Sequence, residues 1–200
     1  MKFIISGLIL IFFSCSVVSV ENLYILKYIP SSTNPSLVKF SKYLPLNYKI
    51  QVDKFEASEL LARTGIIIRE SMHKLRYDSR NKWAEKPQKT MQTLVYKHLK
   101  TQNIFQEVAE DYFDKIPDYY ISGKINNLEF YSTTDQNLAY VDIEFYLKDK
   151  SENVIVRHSI ARNIDINSFN HVYFVKTVSD IISEETDNFV VKIVTELLTK

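Results

Sequence analysis

The sequence predicts an α+β fold, a two-layer sandwich in which two helices cover one face of a mostly antiparallel sheet of about five to six strands. Three observations support this prediction. Residues 138–148 alternate apolar and polar side chains with a period of two, which is typical of a strand with one buried face. Residues 87–99 and 172–199 carry apolar side chains at helical spacing. A chain of 200 residues, 46% hydrophobic and 24% charged, has the composition of one globular domain.

The first third of the chain is predicted to contribute strands. Residues 23–29 fit a first strand, and residues 30–47, which contain three prolines, fit a surface loop. Residues 48–55 alternate as a strand does, and residues 66–70 are a continuous apolar run typical of a buried strand. Residues 73–78 are then expected to return as the hairpin partner of that buried strand.

The first helix is predicted to begin at Lys86-Pro87, because proline is tolerated in the first turn of a helix. Its apolar face comprises Met91, Leu94, Val95, His98 and Leu99. A short strand over residues 104–108 and a polar, acidic loop over residues 109–118 are expected to follow.

The C-terminal half is predicted to form three strands and a long helix. In the first of these strands, residues 119–131, the alternation changes phase at Asn126-Asn127, which indicates a β-bulge. The second and third strands flank a polar turn and should pair as an antiparallel hairpin. A charged stretch is expected to weaken the helix near its middle. The second and third strands cover residues 138–148 and 154–166, and the turn between them covers residues 149–153. The helix covers residues 172–199, and its charged stretch covers residues 183–187.

The N-terminus predicts export and leaves three fates open for Cys15. Lys2, an apolar run over residues 3–13 and small residues after it describe a secretory signal peptide. The favoured interpretation is a lipoprotein signal, residues 1–14, after which Cys15 receives a diacylglycerol thioether. Residues 15–22 then form the anchor and tether, and residues 23–200 form a single α+β domain.

Two alternatives concern the same segment. Cleavage could instead follow Ser19, with Val17 at the −3 position. Residues 3–20 could also remain as an uncleaved anchor, since 18 largely apolar residues approach the minimum membrane span. Phe12 and Phe13 depart from the usual residues before a lipidated cysteine, so the anchor is the weakest part of the favoured interpretation.

Charge and composition exclude several classes of protein. The formal charge is 25 − 24 = +1, and removal of residues 1–14 takes away only Lys2, which leaves 24 − 24 = 0. A balanced chain lacks the basic surface that nucleic-acid binding requires. The single cysteine rules out an internal disulfide and a cysteine-based metal cluster. No glycine-rich phosphate loop occurs among the three glycines.

No catalytic, metal or cofactor motif stands out. The four histidines have none of the spacings typical of zinc ligands, and no nucleophile-elbow motif is present. His98 and His158 lie on apolar phases, so both are predicted to be satisfied core or edge residues. The sequence therefore favours a binding role. A hydrolase whose active site is dispersed along the chain, with His73 or His158 near carboxylates, is the alternative from another class.

Aromatic side chains give the best candidates for partner contact. Tyr140 and Tyr146 lie on the polar phase of the strand over residues 138–148, where they could anchor a partner or a lipid. Ordinary cross-strand packing is the alternative. Trp83 is a third candidate, because tryptophan is enriched at interface hot spots, although it could equally fix the start of the first helix against the sheet.

Residues 60–87, LLARTGIIIRESMHKLRYDSRNKWAEKP, resemble the ABC-type transport auxiliary lipoprotein component family, whose members are PqiC-like proteins. The matching positions are Arg63, Leu75, Tyr77, Trp83, Ala84, Glu85 and, somewhat displaced, Pro87. The order of predicted elements is similar over residues 22–198. The resemblance implies a lipid-anchored periplasmic protein without enzymatic activity or cofactor.

The same resemblance implies a partner and a location. The expected partner is an MCE-type substrate-binding protein of a system that moves lipids or other hydrophobic compounds across the envelope, and a homo-oligomer is left open. Ser16 follows the cysteine, which favours the inner leaflet of the outer membrane. An assembly lipoprotein of another outer-membrane machine is the second interpretation within this class.

Overall fold

A computed structural model describes residues 20–199, in which a mixed β-sheet carries two α-helices on one face. Cys15 and the predicted signal segment lie outside the described residues. The strands are β1 (Asn22–Tyr24), β2 (Leu46–Val52), β3 (Glu56–Ala57), β4 (Gly65–Ser71), β5 (Lys74–Trp83), β6 (Phe105–Ala109), β7 (Tyr119–Ser132), β8 (Asn137–Asp149) and β9 (Val154–Asp165). The helices are α1 (Pro87–Gln102) and α2 (His171–Thr199), and a 3₁₀ segment spans Pro35–Tyr43.

β7 is the central strand of the sheet. One edge of β7 pairs antiparallel with β8 along its whole length, and β8 pairs antiparallel with β9. The other edge of β7 pairs in parallel with β2, β3 and β4 in turn, each over two or three residues. β5 and β1 extend the sheet beyond β4, and β6 extends it beyond β2.

The predicted α+β class and the single helix-covered face are confirmed. The sheet has nine strands within residues 20–199, more than the five to six expected, and the two-residue β3 is too short to give a sequence pattern. Its parallel pairings join strands that are far apart in the sequence, as Ile68 opposite Phe130 illustrates. Such long-range pairing leaves no local sequence signal.

The three antiparallel strands β7, β8 and β9, here called the meander, cover nearly the same residues as the strands predicted from the sequence. The register shift between Ile125 and Asn127 is the predicted bulge. The turn after β8 is held by Asp149, whose Oδ1 accepts the backbone N–H groups of Ser151 and Asn153 at 2.8 and 2.9 Å. The helix-facing residues of β8 are fully buried, which places the core between this meander and α2.

Gly123 on β7 allows a close approach that no other residue would permit. A Cβ atom at this position would lie 2.1 Å from the Phe55 ring and 2.5 Å from the backbone oxygen of Glu144. Phe55 follows β2 and packs edge-on against Phe145, with ring centroids 5.6 Å apart. The glycine therefore lets an aromatic ring lie directly on the central strand.

Three predicted elements differ from the observed ones. The first strand covers only Asn22–Tyr24, and β5 continues to Trp83 instead of ending at residue 78. The predicted loop over residues 30–47 contains the 3₁₀ segment, whose start is capped by Asn34 Oδ1 accepting the N–H of Ser36 at 3.0 Å. An asparagine cap before proline is a local signal that the prolines obscured.

Helix α2 continues without interruption through residues 183–187, where weakening was expected. The reason is tertiary. Glu185 and Thr186 face the interior, where Arg162 pairs with Glu185 and the Thr186 hydroxyl donates to the Ile182 carbonyl at 2.7 Å. Polar residues that looked like a solvent-exposed break are satisfied inside the protein.

Candidate functional site

The outer face of the meander is the surface that the two α-helices leave uncovered. On β8 it presents Tyr140, Asp142, Glu144 and Tyr146, all of which are half-buried, and on β9 it presents the exposed Arg157. The opposite side of the same strands forms the core. This face contains two of the three aromatic residues that the sequence offers as partner contacts.

A fixed polar network surrounds Tyr146. Its hydroxyl donates to Glu144 Oε2 at 2.7 Å, and Arg157 Nη2 donates to the same oxygen at 2.6 Å. Asn126 Nδ2 donates to Glu144 Oε1 at 3.0 Å. The hydrogen bonds from Tyr146, Asn126 and Arg157 lower the pKa of Glu144 to about 2. The carboxylate stays charged at neutral pH and holds the Tyr146 side chain in one orientation.

Tyr140 lines an open cleft of about 650 Å³ at the other end of this face. Arg69 lies in the cleft wall and forms a two-pronged ion pair with Glu129, with Nη2 2.8 Å from Oε1. Glu129 is only 3% exposed, so the charge of Arg69 in the cleft wall is already paired with a buried carboxylate. Met72, 78% exposed, stands at the rim. The remaining lining residues are Tyr131, Gln136, Leu138, Ala161 and Asn163.

The residues that line the cleft suit contact with an apolar group. Arg69 is paired with Glu129, and tyrosine and methionine side chains provide adaptable apolar surface. No group of three or more histidine, cysteine, aspartate or glutamate side chains in residues 20–199 is arranged to hold a metal ion.

Trp83, the third candidate for partner contact, is 4% exposed. It ends β5, its backbone N–H donates to the Thr64 carbonyl at 2.6 Å, and its ring lies 6.0 Å from that of Phe174 on α2. The side chain thus fixes the junction between β5 and α1 against α2. This is the packing position that the sequence offered as the alternative to partner contact.

His98 joins three parts of the chain inside the protein. It is fully buried, with Nδ1 3.1 Å from the Tyr28 hydroxyl and Nε2 3.1 Å from Asp187 Oδ1. Burial raises the pKa of Tyr28 well above its usual range, so its phenol stays protonated. The carboxylate–imidazole–phenol row connects the N-terminal segment to both helices.

His158 has a similar structural place between β9 and α2. Its Nε2 lies 2.8 Å from Glu185 Oε2, and Lys192 Nζ lies 2.8 Å from its Nδ1. Burial by itself would raise the pKa of Glu185, but hydrogen bonds from Asn188, His158 and Arg162 outweigh it and lower the pKa. His73 is exposed at the turn between β4 and β5, away from this cluster. Of the two histidines considered for a dispersed active site, His158 is thus buried beside one carboxylate, and His73 is exposed on a turn.

Sequence reasoning predicted that His98 and His158 have hydrogen-bond partners, but it did not identify those partners. Tyr28 and Asp187 lie 70 and 89 residues from His98, and Glu185 lies 27 residues from His158. Only the charged stretch over residues 183–187 gives a local signal, and that signal predicts a weakened helix instead of these contacts.

The sequence model of the ABC-type transport auxiliary lipoprotein component family matches residues 37–188. The chain belongs to this family. The resemblance seen at residues 60–87 is therefore confirmed over most of the chain. Membership makes the protein an auxiliary component of an ABC-type transport system, and family members are lipoproteins of the cell envelope.

Two solved structures of other proteins have this fold, and a third is more distant. Protein XCC0632 from Xanthomonas campestris superposes with a TM-score of 0.72 at 12% identity, over 89% of this chain and 98% of that one. An uncharacterized protein superposes with a TM-score of 0.66 at 12% identity, over 87% and 99% of the two chains. The PelC dodecamer from Paraburkholderia phytofirmans is more distant, with a TM-score of 0.45 at 13% identity, over 73% of this chain and 87% of that one.

No curated protein sequence matches the chain. None of the helices within residues 20–199 is long and apolar enough to cross a membrane.

Proposed function

We propose that this protein is the lipid-anchored periplasmic auxiliary component of an MCE-type transport system that moves lipids or other hydrophobic compounds across the envelope. It acts by docking and carries out no catalysis. Family membership supports a role in an ABC-type transport system, and the observation that carries the docking role is the outer face of β8. That face is uncovered by the helices and holds Tyr140 over an apolar cleft.

The buried titratable groups support a role without catalysis. The His98 and His158 clusters are satisfied within the protein interior, and the Arg69–Glu129 pair in the cleft is closed on itself. Catalytic acids and bases usually combine a perturbed pKa with access to a cleft. The clusters around His98 and His158 instead join the helices to the N-terminal segment and to β9.

The anchor in this proposal is Cys15, which carries acyl chains after residues 1–14 are removed. Each buried CH₂ contributes ~0.8 kcal/mol to membrane binding, so several acyl chains hold a domain far more firmly than one. Ser16 favours the outer membrane, which places the domain on its inner leaflet facing the periplasm. The remaining residues before β1 serve as the tether.

The partner in this proposal is the MCE-type substrate-binding protein of the same system, and several copies of the auxiliary component assemble with it. Tyr140 and Tyr146 contribute contact surface through their half-buried rings. Trp83 contributes indirectly, because it holds the packing behind this surface.

Affinity purification of the anchored chain in mild detergent tests this function. The MCE-type protein encoded beside the chain should be recovered with it, and mass spectrometry should find an acylated N-terminal Cys15. The Cys15→Ser variant is the control, since it should lose the anchor but keep the folded domain. Recovery of no MCE-type protein, or an intact Met1, would contradict the docking role or the anchor respectively.

A further inference from the structure

The loop between β6 and β7, residues 110–118, exposes two large apolar side chains. Phe113 is 96% exposed and Ile116 is 74% exposed. Isolated exposed apolar residues need no explanation, but two within four positions at the tip of one loop form a concentrated contact surface. Neither side chain contributes to the core.

Both ends of this loop are fixed to the domain. At the first end, Glu110 accepts hydrogen bonds from Lys89 at 2.7 Å and Thr93 at 2.7 Å, both on α1. At the other end, Asp118 accepts the backbone N–H of Lys49 at 2.9 Å, and its own N–H donates to the Lys49 carbonyl at 2.8 Å. Because both ends of the loop are fixed, the loop loses less conformational entropy when a partner binds its apolar tip.

The loop is strongly acidic. It holds one lysine and four carboxylates, a net charge of 1 − 4 = −3. Lys115 pairs with Glu107 of β6, and Glu110 and Asp118 pair with lysines of the domain. Asp111 and Asp114 are exposed and form no salt bridge with a described residue, so two carboxylates flank the apolar tip without a cation of their own.

The geometry points to this loop as a docking element for a protein partner that offers an apolar pocket with a basic rim. Charge complementarity steers such a partner, and Phe113 and Ile116 fill its pocket. The inference deepens the proposed function, on which it rests, by assigning a second contact surface for the transport partner in addition to the outer face of β8.

Charge favours a protein over a membrane as the occupant. An anionic membrane surface attracts basic segments and repels the carboxylates of Asp111 and Asp114, which lie beside the apolar tip.

Binding of the purified MCE-type protein to the full anchored chain in mild detergent tests the assignment. The double variant Phe113→Ala/Ile116→Ala should raise Kd roughly 10- to 30-fold, as truncation of hot-spot residues does. Asp111→Asn/Asp114→Asn should weaken the dependence of the association rate on salt. Val172→Ala, which truncates a 64% exposed side chain on α2, is the matched control and should leave Kd unchanged.

The outcomes separate the inference from the function it rests on. Unchanged affinity of the double variant would overturn the loop assignment and leave the function standing. Failure of the unmodified chain to bind at all would overturn both.

A fluorescent probe distinguishes the occupants. Cys15 is the sole cysteine, and under the proposed lipidation it is a thioether without a free thiol, so Lys115→Cys, which keeps Phe113 and Ile116, can be labelled selectively in the anchored chain. A polarity-sensitive dye there should shift to the blue only when the MCE-type protein is added. A shift on vesicles containing anionic lipid alone, or with increasing concentration of the chain alone, would replace the inference with a membrane or a second copy.

Discussion

Along β8, the side chains that point toward the helices and those that point away differ in how much of their surface is exposed. Val141, Ile143 and Phe145 are at most 1% exposed, whereas Tyr140 and Tyr146, on the other side of the same strand, keep part of their surface. The inner residues pack against α2 and gain stability from burial. The outer residues are held by hydrogen bonds and keep apolar surface available. On β8, the inner side chains therefore stabilise the fold, and the outer side chains are available for contact with a partner.

The largest effect is expected on the inner face. Phe145→Ala should lower the free energy of unfolding by about 3–5 kcal/mol, because it leaves a cavity between Phe55 and Phe189. Chemical denaturation measures the change. Tyr146→Ala, one position along, is the matched outer-face control and should cost about 1 kcal/mol or less. Equal losses for the two variants would remove the distinction between the faces.

A smaller loss is expected where β7 approaches Phe55 too closely for a side chain. Gly123→Ala should destabilise by about 1–3 kcal/mol, since the new methyl group overlaps both a ring and a backbone oxygen. Gly65→Ala is the control, because its nearest neighbour is the movable Tyr77 ring at 3.0 Å. Thermal unfolding of both variants should show the greater decrease in Tm for Gly123→Ala. The reverse order would contradict the close approach.

Substitutions on the outer face should change the affinity for the partner rather than the stability of the fold. Tyr140→Ala is expected to weaken binding of the MCE-type partner roughly tenfold, while the unfolding free energy stays within about 1 kcal/mol. Ser159→Ala, a small truncation on the outer face of β9, should change neither quantity. Biolayer interferometry with the anchored chain measures Kd. An unchanged Kd for Tyr140→Ala would exclude the cleft from the contact surface.

The smallest effect concerns the charge of Glu144. Its folded-state pKa of about 2 lies below the ordinary value of 4.5, so the charged form stabilises the fold above pH 4.5. That contribution is lost as the pH falls from about 4.5 through about 2. Glu144→Gln should therefore cost on the order of 0.5 kcal/mol at neutral pH, and the cost should disappear as the pH falls through about 2. A difference between the two proteins that does not depend on pH would argue against the charged network.

Periodicity explains where sequence-based prediction succeeded. The hairpin over residues 138–166, the bulge at Asn126-Asn127 and the helix from Pro87 all have signals within a few residues of themselves. The parallel pairings of β7 and the hydrogen bond between Tyr28 and His98 join distant segments, and no local pattern encodes them. The Phe113 loop was predicted to be polar and acidic, yet the exposure of its two apolar residues emerged only from the structure.

The sequence by itself determined the fold class, the family and the two faces of the meander, because alternation along a strand decides which side chains can be buried. Tertiary structure decided which aromatic residues remain available. Trp83 became part of the interior because α2 packs over it, while Tyr140 stayed in an open cleft because both helices lie on the other face of the sheet. It also placed Glu185 inside a continuous helix, since Arg162 and His158 supply the hydrogen bonds that water would otherwise provide.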